Sequence, residues 1–344
     1  MAILVTGGAG FIGSHTCIEL LNSGYDLVVV DNLSNSSMAS IKKVEEITAK
    51  KVPFYNVDLL DKDSLGSVFL HHDFESVIHF AGVKAVGEST QNPLKYYQNN
   101  VMGTLNLCEV MQNHKVLKMV FSSSATVYSP SASGIMTEEN LLGASNPYGR
   151  TKLMIEELLK DLSASNNNWS ISILRYFNPI GAHSSGQIGE DPKGTPNNLL
   201  PYIAQVASGK LPIVRVYGID YDTIDGTGVR DYVHVVDLAK GHIKALDKVK
   251  TSNGVSIYNL GTGKGYSVLE MIRAFERVAD RKIPYKIEAR RDGDVAICYA
   301  DPSKAMLELG WVAVRDIEEM CEDAWRWQKN YPEGYTMSEM MNKF

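Results

Sequence analysis

The junction at the start of this chain constrains its fold more than any other feature. An apolar run, Ile3-Leu4-Val5, breaks into Gly7-Gly8-Ala9-Gly10-Phe11-Ile12-Gly13, and a helix-period segment from about Phe11 to Ser23 begins at once. A strand that turns through glycines straight into a helix opens a βαβ unit, and such units assemble in few ways. The spacing is GxxGxxG, not the better-known GxGxxG. The physical demand is the same: a tight turn, close backbone approach to a pyrophosphate, and close packing of helix on sheet. Gly7, Gly10 and Gly13 are thus candidate cofactor residues, although glycines also serve ordinary strand–helix turns.

The rest of the first half repeats the theme. Leu27–Val30, Val52–Tyr55, Val77–Phe80, Lys118–Phe121 and Ile171–Leu174 are short apolar runs separated by helix-period stretches such as Met38–Thr48. Near-continuous apolar strands between helices are buried on both faces, which predicts a parallel, doubly wound α/β sheet of Rossmann type with ligands at its carboxyl edge. After about Asn178 the chain becomes rich in Gly, Pro, Asn and Asp, with short elements at Leu199–Ser208 and Ile213–Tyr217. We expect residues 1–178 to bind the cofactor and 179–344 to form a second, smaller substrate-binding domain, some later elements packing back on the first. Val233–Lys248, Val268–Ala279 and Asp316–Asn330 are helical in period, and the tail Met337–Met341 is expected to fray.

Position along the strands singles out polar residues. Asp31, followed by Asn32, ends the second strand 18 residues beyond Gly13. A carboxylate there accepts both ribose hydroxyls and repels a 2′-phosphate, favouring NAD over NADP; the bland alternative is a turn or capping residue. Asp58-Leu59 follows the third run, where an adenine would lie, or is a polar turn. Phe80-Ala81-Gly82 ends the fourth strand with small residues, and Lys84 can reach phosphate oxygens or simply be solvated.

Tyr148 and Lys152 stand four apart, on one face if helical, and Ser122-Ser123-Ser124 follows the Lys118–Phe121 strand. A phenolate is a competent base for an alcohol proton, but a free tyrosine must fall about 3 units to act near neutrality, roughly 4 kcal/mol. A neighbouring Lys152 ammonium and a positive nicotinamide ring would supply that in a partly desolvated cleft. Alone YxxxK is common; with the glycines, the strand-end Asp and the serines it is specific.

Composition removes other classes. A length of 344 residues, 34 basic against 40 acidic, gives a net charge of −6 with no basic stripe, so no nucleic-acid partner is expected. No apolar stretch approaches the roughly 18 residues of a membrane span, so no membrane partner is expected either. The start carries no basic leader, so no signal peptide is expected. Cys17, Cys108, Cys298 and Cys321 show no CxxC spacing, which fits a reducing cytoplasm, and the eight histidines show no ligand spacing, so no metal is expected.

The full set resembles the extended short-chain dehydrogenase/reductase superfamily. Longer strings, His79–Ser89, Ser122–Tyr128, Leu174–Pro179, Pro196–Leu199 and Gly228–Tyr232, resemble the UDP-galactose 4-epimerase family from Met1 to about Pro332. The resemblance implies reversible inversion at C4 of a UDP-hexose, UDP-glucose to UDP-galactose, through a 4-keto sugar with tightly bound NAD. It makes Tyr148 the base and acid at O4, Lys152 its partner and the holder of the nicotinamide ribose, and Ser124 the bridge to the reacting hydroxyl. It implies NAD contacts for Phe11, Ile12, Asp31, Asp58, Lys84, Asn99 and Phe177, and UDP-sugar contacts for Asn178, Asn198, Leu199, Tyr217, Arg230 and Arg291, with Asp294 in the same segment. Arginines are independently expected, because a net-negative chain must gather cations locally for a diphosphate.

Two positions depart from the family pattern. Ser129 replaces a usual Gly, leaving the local turn open. Cys298 stands where some members carry a Tyr against the sugar, which would admit UDP-N-acetylglucosamine and UDP-N-acetylgalactosamine, unless it is only a packing cysteine. A related dehydratase needs an acidic pair where this chain has Ala125 and Thr126. A net dehydrogenase and a non-catalytic nucleotide-sugar-binding module share the fold. The helical stretches 93–113 and 146–162 are expected to pair with their mates in a homodimer.

Overall fold

In the computed structural model, which describes residues 1–131, 134–291 and 293–335, each early apolar run is a strand. The opening glycines join β1 (Ala2–Thr6) to α1 (Phe11–Asn22). There follow β2 (Leu27–Asp31), α2 (Met38–Thr48), β3 (Phe54–Asn56), α3 (Lys62–His71) and β4 (Phe74–His79). Next come α4 (Val86–Gln91), α5 (Pro93–Tyr96), a π-helical turn at Tyr97–Met102, α6 (Gly103–Asn113) and β5 (Lys118–Ser124). A 3₁₀ turn (Ala125–Val127), β6 (Ile135–Met136), the long α7 (Pro147–Ser165), β7 (Ser170–Tyr176) and β8 (Asn178–Ile180) complete the first half. The second half adds α8 (Leu199–Ala207), β9 (Val214–Tyr217), β10 (Val229–His234), α9 (Val235–Thr251), β11 (Gly254–Leu260) and β12 (Gly265–Ser267). It ends with α10 (Val268–Ala279), β13 (Tyr285–Glu288), β14 (Ile297–Ala300), α11 (Ser303–Leu309) and α12 (Ile317–Asn330). The tail Met337–Met341 lies outside the described residues.

Seven parallel strands run in the order β11-β7-β5-β4-β1-β2-β3. The order reverses between β1 and β4, and ligands of such sheets bind outside the carboxyl ends at that point. Burial alternates as period two requires. Ile3, Val5, Val29 and Val120 face α1, α2 and α9, while Leu4, Val28, Val30, Met119 and Phe121 face α3, α6 and α7. This is the doubly wound sheet expected.

The seventh strand comes from beyond residue 178. β11 pairs with β7 from Gly254↔Ser170 to Leu260↔Tyr176, and its crossover helix α9 packs on α1. Its sequence, GVSIYNL, gives only an alternating pattern, because it is an edge strand whose first four residues are half-buried. The other late elements build the second unit. There β10 carries β12, β14 and β8 beside it, β14 pairs onward with β6, and β9 and β13 form a separate parallel pair. Helices α8, α10 and α12 supply its core around Ile203, Ile272, Phe275 and Trp325. Helix α10 starts on a reciprocal cap, Ser267 with Glu270, and α12 on Asp316 with Glu319.

Candidate active site

The glycine turn lies under the switch point of the sheet. Gly7 has φ +71°, and a Cβ there would come within 2.6 Å of the Ala81 nitrogen; one on Gly13 would come within 2.3 Å of the Gly7 carbonyl oxygen. These two positions admit only glycine. Gly10 begins α1 with no side-chain cap, and the first turn holds no acidic residue, so its amides remain available to an anion. Asp31 is buried at the end of β2, where its carboxylate accepts the Ala9 and Leu33 amides at 3.0 and 2.9 Å and the Ser36 hydroxyl at 2.7 Å. Asn32 donates to Asp58 at 2.9 Å, joining the ends of β2 and β3, and Leu59 packs beneath Gly103.

These residues, with Phe11, Ile12, Phe80-Ala81-Gly82, Lys84 and Asn99, line one cavity of about 1380 Å³. A fixed carboxylate at one end, open helix amides in the middle and side-chain-free glycines against the backbone fit a dinucleotide. Phe80 rests on the ring of His242, centroids 4.7 Å apart. Gly82 leaves room where a Cβ would lie 3.1 Å from Asn100 and 3.8 Å from the Lys152 Nζ. Asn99, in the π-helical turn, donates to Asn100 at 3.1 Å.

Ser124, Tyr148, Lys152, Phe177, Asn178 and Asn198 line the same cavity. Asn146 caps α7 by accepting the Gly149 amide at 2.9 Å, and Pro147 sits in the first turn, so the helix starts immediately before Tyr148. Gly149 lets α7 close on the 3₁₀ turn, since a Cβ there would lie 2.6 Å from the Thr126 carbonyl. Ser124 accepts the Thr126 amide at 3.2 Å and shares the cavity wall with Tyr148. The Lys152 Nζ is buried one turn below, donates to the Ser122 carbonyl at 2.7 Å and lies 4.8 Å over the Phe121 ring. Burial pushes the Lys152 ammonium down to about 8, with the Glu156 carboxylate opposing. Burial also holds the Tyr148 phenol above its ordinary value, opposed by the Ser124 hydroxyl. The lowering expected for Tyr148 calls on a positive nicotinamide ring as well as Lys152; for the groups the protein itself provides, desolvation is the larger effect.

The remaining candidates form a second cluster. Cys298 lies opposite Arg230 across the β10–β14 pairing and packs against the group of Val127, Phe177 and Ala300. Asp294 links the arginines: the Arg291 Nε donates to it at 2.9 Å, and an Arg230 Nη lies 3.7 Å away. The Arg291 guanidinium stacks 4.9 Å over Tyr217. Leu199 stands apart, at the start of α8 against the second core. Lys84 is engaged by Glu190 at 3.1 Å, and the same carboxylate oxygen accepts Asn198 at 2.8 Å. At Ser129 the turn closes over Gly143, whose missing side chain leaves room for the serine hydroxyl.

Several polar residues escaped the sequence reading. Glu190 carries no local signal. Asn100 is buried in the π-helical turn, accepting the Val83 amide at 2.9 Å and donating to Thr151 at 3.0 Å. Glu156 and Arg175 are fully buried as an ion pair at 2.6 Å. One signal was available for them: an arginine inside the strand ISILRY needs a buried anion, and Glu156 lies one turn past Lys152.

Fold and site together define a Rossmann-type dinucleotide protein with a serine–tyrosine–lysine set beside a cationic second site. Residues 3–261 match the model of the NAD dependent epimerase/dehydratase family, and the chain belongs to that family. It is 62% identical over 339 residues to a UDP-glucose 4-epimerase of Bacillus subtilis, covering 98% of this chain and 100% of that one. It is 59% identical to a UDP-glucose 4-epimerase of Pasteurella multocida, over 97% and 99% of the two chains. Among solved structures it superposes with a TM-score of 0.94 on the Bifidobacterium longum UDP-glucose 4-epimerase in complex with NAD+ and UDP. That protein is 54% identical, and the match covers 97% of this chain and 100% of that one.

Proposed function

We propose that this chain interconverts UDP-glucose and UDP-galactose by inverting C4 through a 4-keto sugar. The reading rests above all on Ser124, Tyr148 and Lys152 lining the cavity whose other end holds Asp31. The glycine turn and Asp31 would hold NAD along that cavity, where it would supply reversible hydride acceptance at C4. Tyr148 takes the proton from O4 and gives it back, Ser124 bridges to that hydroxyl, and Lys152 holds positive charge beneath the phenol. Arg230 and Arg291 grip the diphosphate, Tyr217 stacks on the uracil, and Asn178, Asn198 and Lys84 border the sugar. Binding energy is thus concentrated remote from the chemistry, and the hexose stays loose enough to present either face. Cys298 in place of a large ring leaves room for a 2-acetamido group, so the N-acetylated pair is accepted as well. Dehydration is disfavoured because Thr126 and Ala125 put no carboxyl group beside Ser124.

Residues 1–178, completed by α9 and β11, serve as the NAD unit, and the remainder of 179–344 as the UDP-sugar unit. We read the active form as a homodimer. Leu94 on α5, Met102 and Leu105 around the start of α6, and Met154 on α7 are large apolar side chains on the surface, 75%, 49%, 38% and 49% exposed. Among the described residues no helix is long and apolar enough to cross a membrane. The four unpaired cysteines fit the reducing cytoplasm.

The test is incubation of purified protein with UDP-galactose and no added NAD. UDP-glucose should form, without solvent deuterium entering C4, and Tyr148→Phe should lose at least about a hundredfold in kcat. No UDP-glucose from the wild type overturns the reading.

A further inference from the structure

Behind the reacting groups lies a buried polar set that the proposed chemistry does not use. Helix α7 presents Tyr148, Lys152 and Glu156 at successive turns of one face. The Glu156 carboxylate accepts the Ser123 hydroxyl at 2.5 Å and the Arg175 guanidinium at 3.0 and 2.6 Å. Ser123 stands between Ser122, whose carbonyl accepts Lys152, and Ser124, which lines the cavity beside Tyr148. One carboxylate therefore clips the carboxyl ends of β5 and β7 to the helix that carries the base.

We propose that Glu156 is a positioning residue for the reaction: it fixes the serine end of β5 against α7 and supplies the buried negative charge that keeps Lys152 an ammonium. This deepens the epimerase reading and rests on it. A carboxylate wholly removed from water is costly to maintain, and a structural clip alone could be built from neutral groups. The placement meets a specific need, since Lys152 is itself buried and donates to a neutral carbonyl, that of Ser122. Other groups around it contribute little negative charge. His79 of β4 is kept neutral, burial pushing it down to about 3. Burial holds Tyr176 of β7 as a phenol, as it does Tyr96 of α5. Glu88 of α4 is matched by Lys95 at 2.5 Å, and burial holds Tyr258 of β11 as a phenol. Arg175 offsets part of the Glu156 field, so the benefit to Lys152 is the remainder.

Glu156→Gln keeps the shape and removes the charge, but leaves Arg175 buried without its anion. Glu156→Gln combined with Arg175→Met removes the pair together and keeps the question answerable if the single variant does not fold. Two readouts are needed. The first is the titration midpoint of Lys152 by NMR of lysine-labelled protein, with Lys152→Met identifying the signal. The second is the pH profile of kcat on UDP-galactose. In both variants the Lys152 midpoint should fall, and the acid limb of kcat should move to higher pH, in the direction of Lys152→Met but by less. An unmoved midpoint and profile in the double variant overturns the proposal, as does a shift in the single variant that the double variant abolishes, which would trace it to unpaired Arg175. A wild type without turnover defeats the epimerase reading instead, while the NMR midpoint still decides whether Glu156 holds the charge on Lys152.

Discussion

Lys152 surrenders its hydration to sit beneath Tyr148, and that cost has a sign. The ammonium titrates at about 8 in the folded chain against 10.5 in the open. Between those values the unfolded chain binds the extra proton, so this group's contribution to stability rises with pH across the window and is least favourable below it. Lys152→Met should therefore unfold at higher urea than the wild type at pH 7, with the difference narrowing from pH 8 to 10.5. Paired urea titrations check this, and a pH-independent difference would show Lys152 is not the buried titrating group. The same variant should be severely slowed, its kcat profile displaced to alkaline pH. Cys298 carries the residue-scale test of substrate range. A tyrosine ring there overpacks the wall against a 2-acetamido group, and overpacking costs about 1–3 kcal/mol. Cys298→Tyr should thus lose roughly 5- to 150-fold in kcat/KM for UDP-N-acetylgalactosamine, about 1.4 kcal/mol being tenfold, and keep UDP-galactose turnover. If the wild type ignores the N-acetylated sugar, another wall closes the pocket.

Helix α7 and strand β5 act as a matched pair of elements, and Gly149 sets how closely they meet. Gly149→Ala places a methyl 2.6 Å from the Thr126 carbonyl, forcing the first turn of α7 outward and with it Tyr148. The expected outcome is a loss of about 1–3 kcal/mol in stability and a drop in kcat with KM nearly unchanged, read by denaturation and steady-state kinetics. The elements of this pair were legible in the sequence because their signals are local. Lys118–Phe121 is a continuous apolar run, 146–162 is helical in period, and the YxxxK spacing places two side chains on one face. What escaped was whatever depends on a distant partner. β11 looks like an ordinary alternating strand until β7 is beside it. The approach of Arg230 to Asp294 exists only once β10 lies beside the 291–294 segment, and the sharing of Glu190 by Lys84 and Asn198 only once both units have folded.

For the whole molecule, the apolar residues on α5, α6 and α7 predict association. Sedimentation at micromolar concentration should give a dimer, and Leu105→Glu with Met154→Glu should give a monomer; a monomeric wild type would remove these helices as an interface. The late return of the chain to the large sheet has a further consequence, for synthesis rather than catalysis. Until β11 has left the ribosome, β7 is an exposed sheet edge with seven residues awaiting their partner strand. A chain stopped anywhere before Gly254 would keep that edge open, a template on which another copy could pair. Completion of the nucleotide-binding unit thus waits on residues that follow most of the substrate-binding loops, so neither half of the chain is finished, or safe from its neighbours, without the other.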